Sequence, residues 1–563
     1  MRKLNIFLLS ITSFILIQNI SGQGENNNFN PKSLRYKTSV FFRTSDTVLQ
    51  KVFNEASKKE KVNIKNFGKY QVLIEGGGYN SVWLETQPMG GVMYAKRNLT
   101  VAKNNIEIFI DYQRNDGRLP GMISYDNGSI TPYYGWLQGF CFPMPAFELY
   151  FLLGKDKSYL MKLYRSLEKF DNFLWKTRDS DKNGCLETWC IWDTGEDYST
   201  RYGGSPNSWP FDYPPSIEII KQMTREQLEK NCHLSFFDTL KVMPVPMKSM
   251  NVMSSSYSAR DVLSLISNEL KNGKESYWRE KANEVRKKIK EYLWDSKKYA
   301  CYDRDKTNQI MDILSINNLM CMYLGSFDQE MADDFIKYHL LNPKEFWTPV
   351  PLPSIAVNNS YFRNDSGNSW SGQPEGLTFQ RSIRALENYS HFSELTTIAI
   401  KFLKIIGDSL KFVQQFNPFE ESINQDSTFP SQDNYGPSIL ASLEFISRLY
   451  GVYMNQDKIF WSCINKKYDY SYTQLWGNKI LKLTTKENRV ICSINGKEIF
   501  EFTKGARLIS DIYGNLKEVV GIDVNSKKIE ITCLNKKYSL VVDPNSIYKL
   551  NYNGRFYKSK TLE

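Results

Sequence analysis

Between Arg178 and Tyr202 the chain reads RDSDKNGCLETWCIWDTGEDYSTRY, a run in which six carboxylates stand among two Trp and two Cys. Two chemistries fit it. In the first half, oxygen-bearing side chains fall at Asp179, Asp181 and Asn183, followed by Gly184, a main-chain carbonyl at Cys185 and the Glu187 carboxylate. That is the opening spacing of a calcium loop. Position twelve is Cys190 rather than Glu, so an EF-hand is excluded, and the expectation is a single structural calcium. The competing reading is a turn held by side-chain-to-backbone hydrogen bonds. In the second half, Trp192, Asp193, Glu196, Asp197 and Arg201 place carboxylates beside an indole. Such an inventory suits glycoside hydrolysis, in which one carboxylic acid protonates the leaving oxygen and a second carboxylate activates water or attacks.

The remaining chemistry-bearing residues narrow the choice. The chain has three histidines, His233, His339 and His391, and none has a metal-like partner three or four positions on. A Ser-His-Asp triad or a His-rich zinc site is therefore not expected, and the carboxylate chemistry requires no cofactor. Nine cysteines without tight paired spacing do not describe a disulfide-stapled miniprotein. Cys185 and Cys190 are near enough to pair, but nothing in the sequence requires it. The net charge of +11 is concentrated late, with 19 Lys or Arg against 11 Asp or Glu from Asp457 onward. Lys on solvated and edge strands accounts for this bias, although a basic module also suits acidic glycans. No nucleic-acid motif is present.

These residues need elements to hold them. The first 22 residues have a basic start (Arg2, Lys3), an apolar run from Ile6 to Ile17 and small residues before Gln23, the shape of a secretory signal peptide. The mature protein is expected to be exported, periplasmic or extracellular, with no membrane span. Residues 23–45 are polar and read as an extended arm. From 46 to 455 the dominant signal is helical periodicity. DKSYLMKLYRSLEKFDNFLWK puts Leu160, Leu163, Leu167, Phe170 and Leu174 on one face, and similar segments recur as consecutive hairpins, some joined by long aromatic loops. Eleven or twelve helices of unequal sequence fit a closed double ring, an (α/α)6 toroid, better than an exact-repeat solenoid. From 456 to 563 the pattern becomes alternation with NG, GN and NS turns, which predicts a small antiparallel β-sandwich.

The segment CLETWCIWDTGEDYSTRY resembles the acid-bearing stretch of inverting (α/α)6-barrel glycosidases of glycoside hydrolase family sixty-three, the mannosylglycerate hydrolases and processing α-glucosidases. Trp192, Asp193, Thr194, Gly195, Asp197, Ser199 and Arg201 fall in register with a pattern like WESGxDNSPR, and the resemblance puts Asp197 in the place of the general acid. Upstream, GGGYNSVWLETQPMGGVMYA resembles the family's aromatic-plus-carboxylate segment, with Glu85 in place of its Asp. NDGRLPGMIS resembles its QxxDGxLP turn, and GNSWSGQPEGLTFQRSIRALENY loosely resembles its YWRGPVW segment. The resemblance spans about residues 75 to 450. It implies an exported glycosidase acting on an α-linked glycan with inversion, and sugar contacts from Trp83, Glu85, Trp192, Asp193, Glu196, Arg201, Trp370, Gln373 and Gln414.

One departure matters. Where these enzymes carry a base Glu opening a motif like E-Q-Y/F-N/D-P, this chain reads Gln414-Gln415-Phe416-Asn417-Pro418. An amide does not take a proton from water. The base is then another carboxylate, with Glu375, Glu420 and Glu421 as candidates, or the reaction differs in its second step, or the protein binds a glycan without cleaving it. A polysaccharide lyase is a third class, allowed by the basic C-terminal region and 34 Tyr, and disfavoured by the shortage of His. The Gly76–Gly78 run reads as a turn.

Overall fold

The structure is a computed structural model that describes residues 38–208, 244–367, 370–423, 432–533 and 536–559. The signal-peptide segment, the start of the arm and His233 lie outside the described residues. Twelve α-helices and two large antiparallel sheets, of seven and six strands, make up the framework among the described residues, with four smaller sheets of two or three strands beside them.

The helices divide by burial. The Lys157–Thr177 helix is capped by Asp156, whose carboxylate accepts from the Ser158 and Tyr159 amides. It buries Leu160, Leu163, Leu167, Phe170 and Leu174, the face its periodicity predicts. Met250–Leu270, capped by Ser249, is buried on nearly every side, Ser254, Ser256, Ser258 and Ser264 included. Small hydroxyl-bearing residues permit this, because Ser254 bonds Ser326 at 2.7 Å and Ser256 bonds Asp171 at 2.6 Å. Glu275–Lys288, packed against it, buries only Trp278, Ala282 and Val285. Gly376–Glu387 and Gly436–Tyr450 are likewise inner helices. The result is an inner helical layer screened by an outer amphipathic one.

The C-terminal part forms the two sheets. In the seven-stranded sheet, Lys479–Lys486 turns Leu481 and Leu483 inward and Lys482 outward, the period-two pattern of a half-buried strand. The arm carries a strand of its own. Thr38–Thr44 pairs antiparallel with Tyr470–Trp476, Thr38 opposite Trp476 and Thr44 opposite Tyr470. It satisfies backbone groups that would otherwise face solvent along a sheet edge, and Phe42 anchors it against Phe53, Tyr470 and Tyr472. Between helices and sheets lies a buried charged seam. Lys96 bonds Glu444 at 2.5 Å, and Arg507 bonds Glu387 at 2.8 Å, with Arg448 pairing to both carboxylates.

Candidate active site

Loops between the inner helices enclose a cavity of about 650 Å³. Its walls are aromatic: Tyr79, Trp83, Trp136, Trp192, Tyr198, Trp370 and Tyr435. Trp136 meets Trp192 edge to face at 5.1 Å, and Tyr79 meets Trp83 at 6.2 Å, so the rings fix one another in a shape with flat apolar faces. Glu75, Glu85, Asp197, Gln138 and Gln414 supply the polar groups on the same walls.

Asp197 sits half-buried at the wall, on the loop that follows a short helical turn at Ile191–Asp193. Two constraints hold it there. Its carbonyl accepts the Trp370 amide at 2.9 Å, and the Ser371 hydroxyl donates to the Tyr198 carbonyl at 2.8 Å, stitching the 370–371 segment to this loop. Gly195 has φ +74°, and a Cβ there would lie 2.1 Å from Glu85 Oε2. Only glycine lets the loop pass so close to that carboxylate.

Glu85 is fully engaged. Gln138 donates to Oε1 at 2.6 Å and Arg381 to Oε2 at 3.2 Å. Burial nonetheless pushes its carboxyl up to about 8, against the pull of Arg381 and with repulsion from Asp197 added. Glu375 stands just before the Gly376–Glu387 helix and accepts from Gln415 Nε2 at 2.9 Å, while its other oxygen is buried without a hydrogen bond. Gln414 also bonds to it and in turn accepts from the Tyr79 hydroxyl at 2.9 Å. Burial raises the Glu375 carboxyl well above the usual range, opposed by Gln415 and reinforced by Asp197 and Glu85.

That shift has a measurable consequence. A carboxyl whose folded pKa exceeds its unfolded value adds no penalty below the unfolded pKa, and it costs stability as pH rises toward the folded one, about 1.4 kcal/mol per unit. Glu375→Gln is therefore expected to melt with wild type near pH 4.5 and above wild type at pH 8. Differential scanning fluorimetry at the two pH values reads this, and a variant that melts below wild type at pH 8 contradicts the electrostatic account.

The structure gathers Trp83, Glu85, Trp192, Asp197, Trp370 and Gln414 on this cavity, with Glu375 behind Gln414. It places other expected residues elsewhere. Asp193 is buried, accepting from Arg178 at 2.7 and 3.2 Å, Trp189 N at 2.7 Å and Leu137 N at 2.8 Å. Glu196 and Arg201 pair with each other, and Arg201 also pairs with Asp303. Asn317 and the Thr194 hydroxyl donate to Glu196, at 2.9 and 2.8 Å. With every oxygen occupied from within the protein, Asp193 and Glu196 shape the loop rather than line the cavity. Gln373 is buried and donates to Asn364 at 3.0 Å. Glu420 is exposed, and Glu421 pairs with Lys404 at the surface.

The residues with calcium-loop spacing also meet partners from within the protein. Lys248 places its ammonium on Asp181 at 2.6 Å and on Glu187, so a protein cation lies between the two carboxylates. Asp179 accepts from the Gly184 amide at 3.3 Å, and Asn183 from the Cys185 amide at 2.9 Å, the local turn bonds of the competing reading. Cys185 and Cys190 are free and buried. Among the described residues no group of three or more His, Cys, Asp or Glu is arranged to hold a metal.

One acidic lining residue has no counterpart among the sequence candidates. Glu75 ends the run Val72-Leu73-Ile74 and opens the glycine turn, and its Oε1 accepts from the Tyr435 hydroxyl at 3.1 Å. The signal was a single carboxylate closing an apolar strand, where burial of a charge demands a reason.

The model of the "Mannosylglycerate hydrolase MGH1-like glycoside hydrolase domain" family matches residues 92–431, more than half of the chain. No curated protein matches it. Among solved structures, the glycoside hydrolase family 63 mannosylglycerate hydrolase from Thermus thermophilus, in complex with Tris and D-glycerate, is 15% identical with a TM-score of 0.54. The match covers 70% of this chain and 100% of that one. A sialidase is 13% identical with a TM-score of 0.61, covering 87% of this chain and 43% of its own. The family 78 rhamnosidase of Bacillus sp. GL1 is 10% identical at a TM-score of 0.51, covering 80% and 41%. At these identities the structural matches carry the fold, and the family model carries the assignment: the chain belongs to the mannosylglycerate hydrolase MGH1-like glycoside hydrolase family and is a glycosidase.

Proposed function

We propose that the protein is an exported glycosidase that cleaves an α-linked glycan in a single displacement with inversion, Asp197 acting as general acid. The observation that carries this is the position of Asp197 on an aromatic-walled cavity that also holds Glu75 and Glu85. In this reading the helical layers close as a six-hairpin toroid whose rim loops form the cavity, the β-sandwich packs beside it, and no step needs a cofactor. A sugar ring lies against the Trp faces. Glu85, held by Arg381 and Gln138, and Gln414, held by Tyr79, bond its hydroxyls. The Asp197 carboxyl gives its proton to the glycosidic oxygen as the C1–O bond breaks, and water, losing a proton to a second carboxylate, attacks C1 from the other face. The amide at 414 favours the alternative of a binder without turnover only if no other carboxylate reaches the water. The buried Glu cluster supplies candidates.

The test is release of reducing sugar from a broad oligosaccharide panel, followed by NMR of the anomer formed first. Inverted product from an α-linked substrate is expected. Retained product rules out single displacement, an unsaturated product absorbing in the near ultraviolet indicates a lyase, and binding without any release makes the protein a binder.

A further inference from the structure

We propose that Glu75 is the general base of this site, a reading that rests on the glycosidase mechanism above. Position 414, bonded to the Tyr79 hydroxyl, holds an amide, so the proton of the attacking water must go to a carboxylate that faces the cavity. Three acidic groups surround Asp197, and their partners separate them. Glu85 accepts one bond on each oxygen, from Gln138 and from the Arg381 cation, which leaves room for a sugar hydroxyl but ties its charge to Arg381. Glu375 lies behind Gln414 and Gln415, and its free oxygen is sealed from the cavity. Glu75 lines the cavity and, among the described residues, has a single side-chain partner, the Tyr435 hydroxyl, leaving a second oxygen to take up a water.

The backbone is built to hold it. The Glu75 carbonyl accepts the Gly436 amide at 2.7 Å, and its amide donates to the Ser81 carbonyl at 3.2 Å. Gly76 and Gly77, at φ +75° and +61°, press against the 434–435 segment, where a Cβ on Gly76 would lie 2.2 Å from the Asn434 carbonyl oxygen. Glu75 is thereby clamped to the start of an inner helix, and Tyr435 orients its carboxylate. Once ionised, it is a stronger base than an ordinary carboxylate. Burial raises its carboxyl well above the usual range. Glu85 and Asp197 add repulsion, while the Tyr435 hydrogen bond and Arg381 oppose it.

In the step, an O–H bond of water breaks and its proton passes to Glu75. The water oxygen bonds to C1, the C1–O bond breaks, and the departing oxygen takes the proton of Asp197. The proposal is tested with Glu75→Gln, Glu75→Ala and Glu375→Ala on a substrate the wild type cleaves and on the glycosyl fluoride of the same sugar. Fluoride departs without a general acid, so Asp197→Asn loses far less on the fluoride than on the glycoside, whereas Glu75→Gln loses about 10²–10⁴-fold in kcat on both, with KM little changed. Azide, an anionic nucleophile that needs no base, restores turnover to Glu75→Ala and not to Glu375→Ala, giving the inverted glycosyl azide. A folded Glu75→Gln within tenfold of wild type on both substrates, or azide rescue of Glu375→Ala instead, overturns the assignment to Glu75 alone. A wild type that cleaves nothing on the panel, or yields retained product, overturns the mechanism and this assignment together.

Discussion

Asp197→Asn abolishes glycoside hydrolysis, lowering kcat by about 10²–10⁴-fold while KM stays within a few-fold of wild type, as expected when a proton donor is lost. The substitution keeps shape and removes only the transferable proton. The fold has little reason to respond, because the contacts that set the loop do not involve the lost acidity. The Trp370 amide bonds the Asp197 carbonyl, Ser371 bonds the Tyr198 carbonyl, and Gly195 sets the approach to Glu85. A thermal melt should therefore superimpose on wild type. The leaving group offers a second check: glycosides with acidic aglycones need less proton assistance, so the deficit should shrink as the aglycone pKa falls. An equal deficit for all aglycones would mean that Asp197 acts on something other than the leaving oxygen. An active Asp197→Asn would move the acid to another carboxylate, with Glu85, whose carboxyl is held up to about 8, next in line.

Much of this was legible because it depends on local pattern. The helix over Lys157–Thr177 and the strand over Lys479–Lys486 declare themselves through spacings of 3.6 and 2, and the same residues are buried in the structure. Aromatic residues in polar, glycine-rich loops were also informative, since Trp83, Trp192 and Trp370 all reach the cavity. What was not legible depends on distant partners. Asp181 and Glu187 have calcium-loop spacing, but the cation they meet is Lys248, more than sixty residues on. Arg201 looks like a sugar contact until Asp303 arrives from 102 residues away. Glu75 gains meaning only beside Tyr435, 360 residues along the chain. Spacing tells what a loop can bind in isolation, whereas the fold decides which group reaches it first.

Asp193 separates these two kinds of information by experiment. As a sugar ligand, its replacement would raise KM and leave the melting temperature alone. As a structural post, it behaves differently. Its carboxylate holds the Arg178 guanidinium with both side chains wholly buried, and it ties down the Leu137 and Trp189 amides. The neighbouring backbone joins in, with Gln138 N on the Trp192 carbonyl at 3.0 Å and Gly139 N on the Asp193 carbonyl at 2.8 Å, so that Gln138, the partner of Glu85, is placed through the same post. Asp193→Ala leaves a buried guanidinium without its counterion, a loss of about 3–5 kcal/mol. It should also lower kcat, because the loops carrying Gln138 and Asp197 lose their common anchor. Replacing Arg178 and Asp193 together by apolar residues removes the stranded charge and should recover part of the stability but not the activity. A variant with wild-type melting and only a raised KM would instead return Asp193 to the sugar. A double replacement as unstable as Asp193→Ala alone would show that the amide contacts, rather than the ion pair, hold the loop.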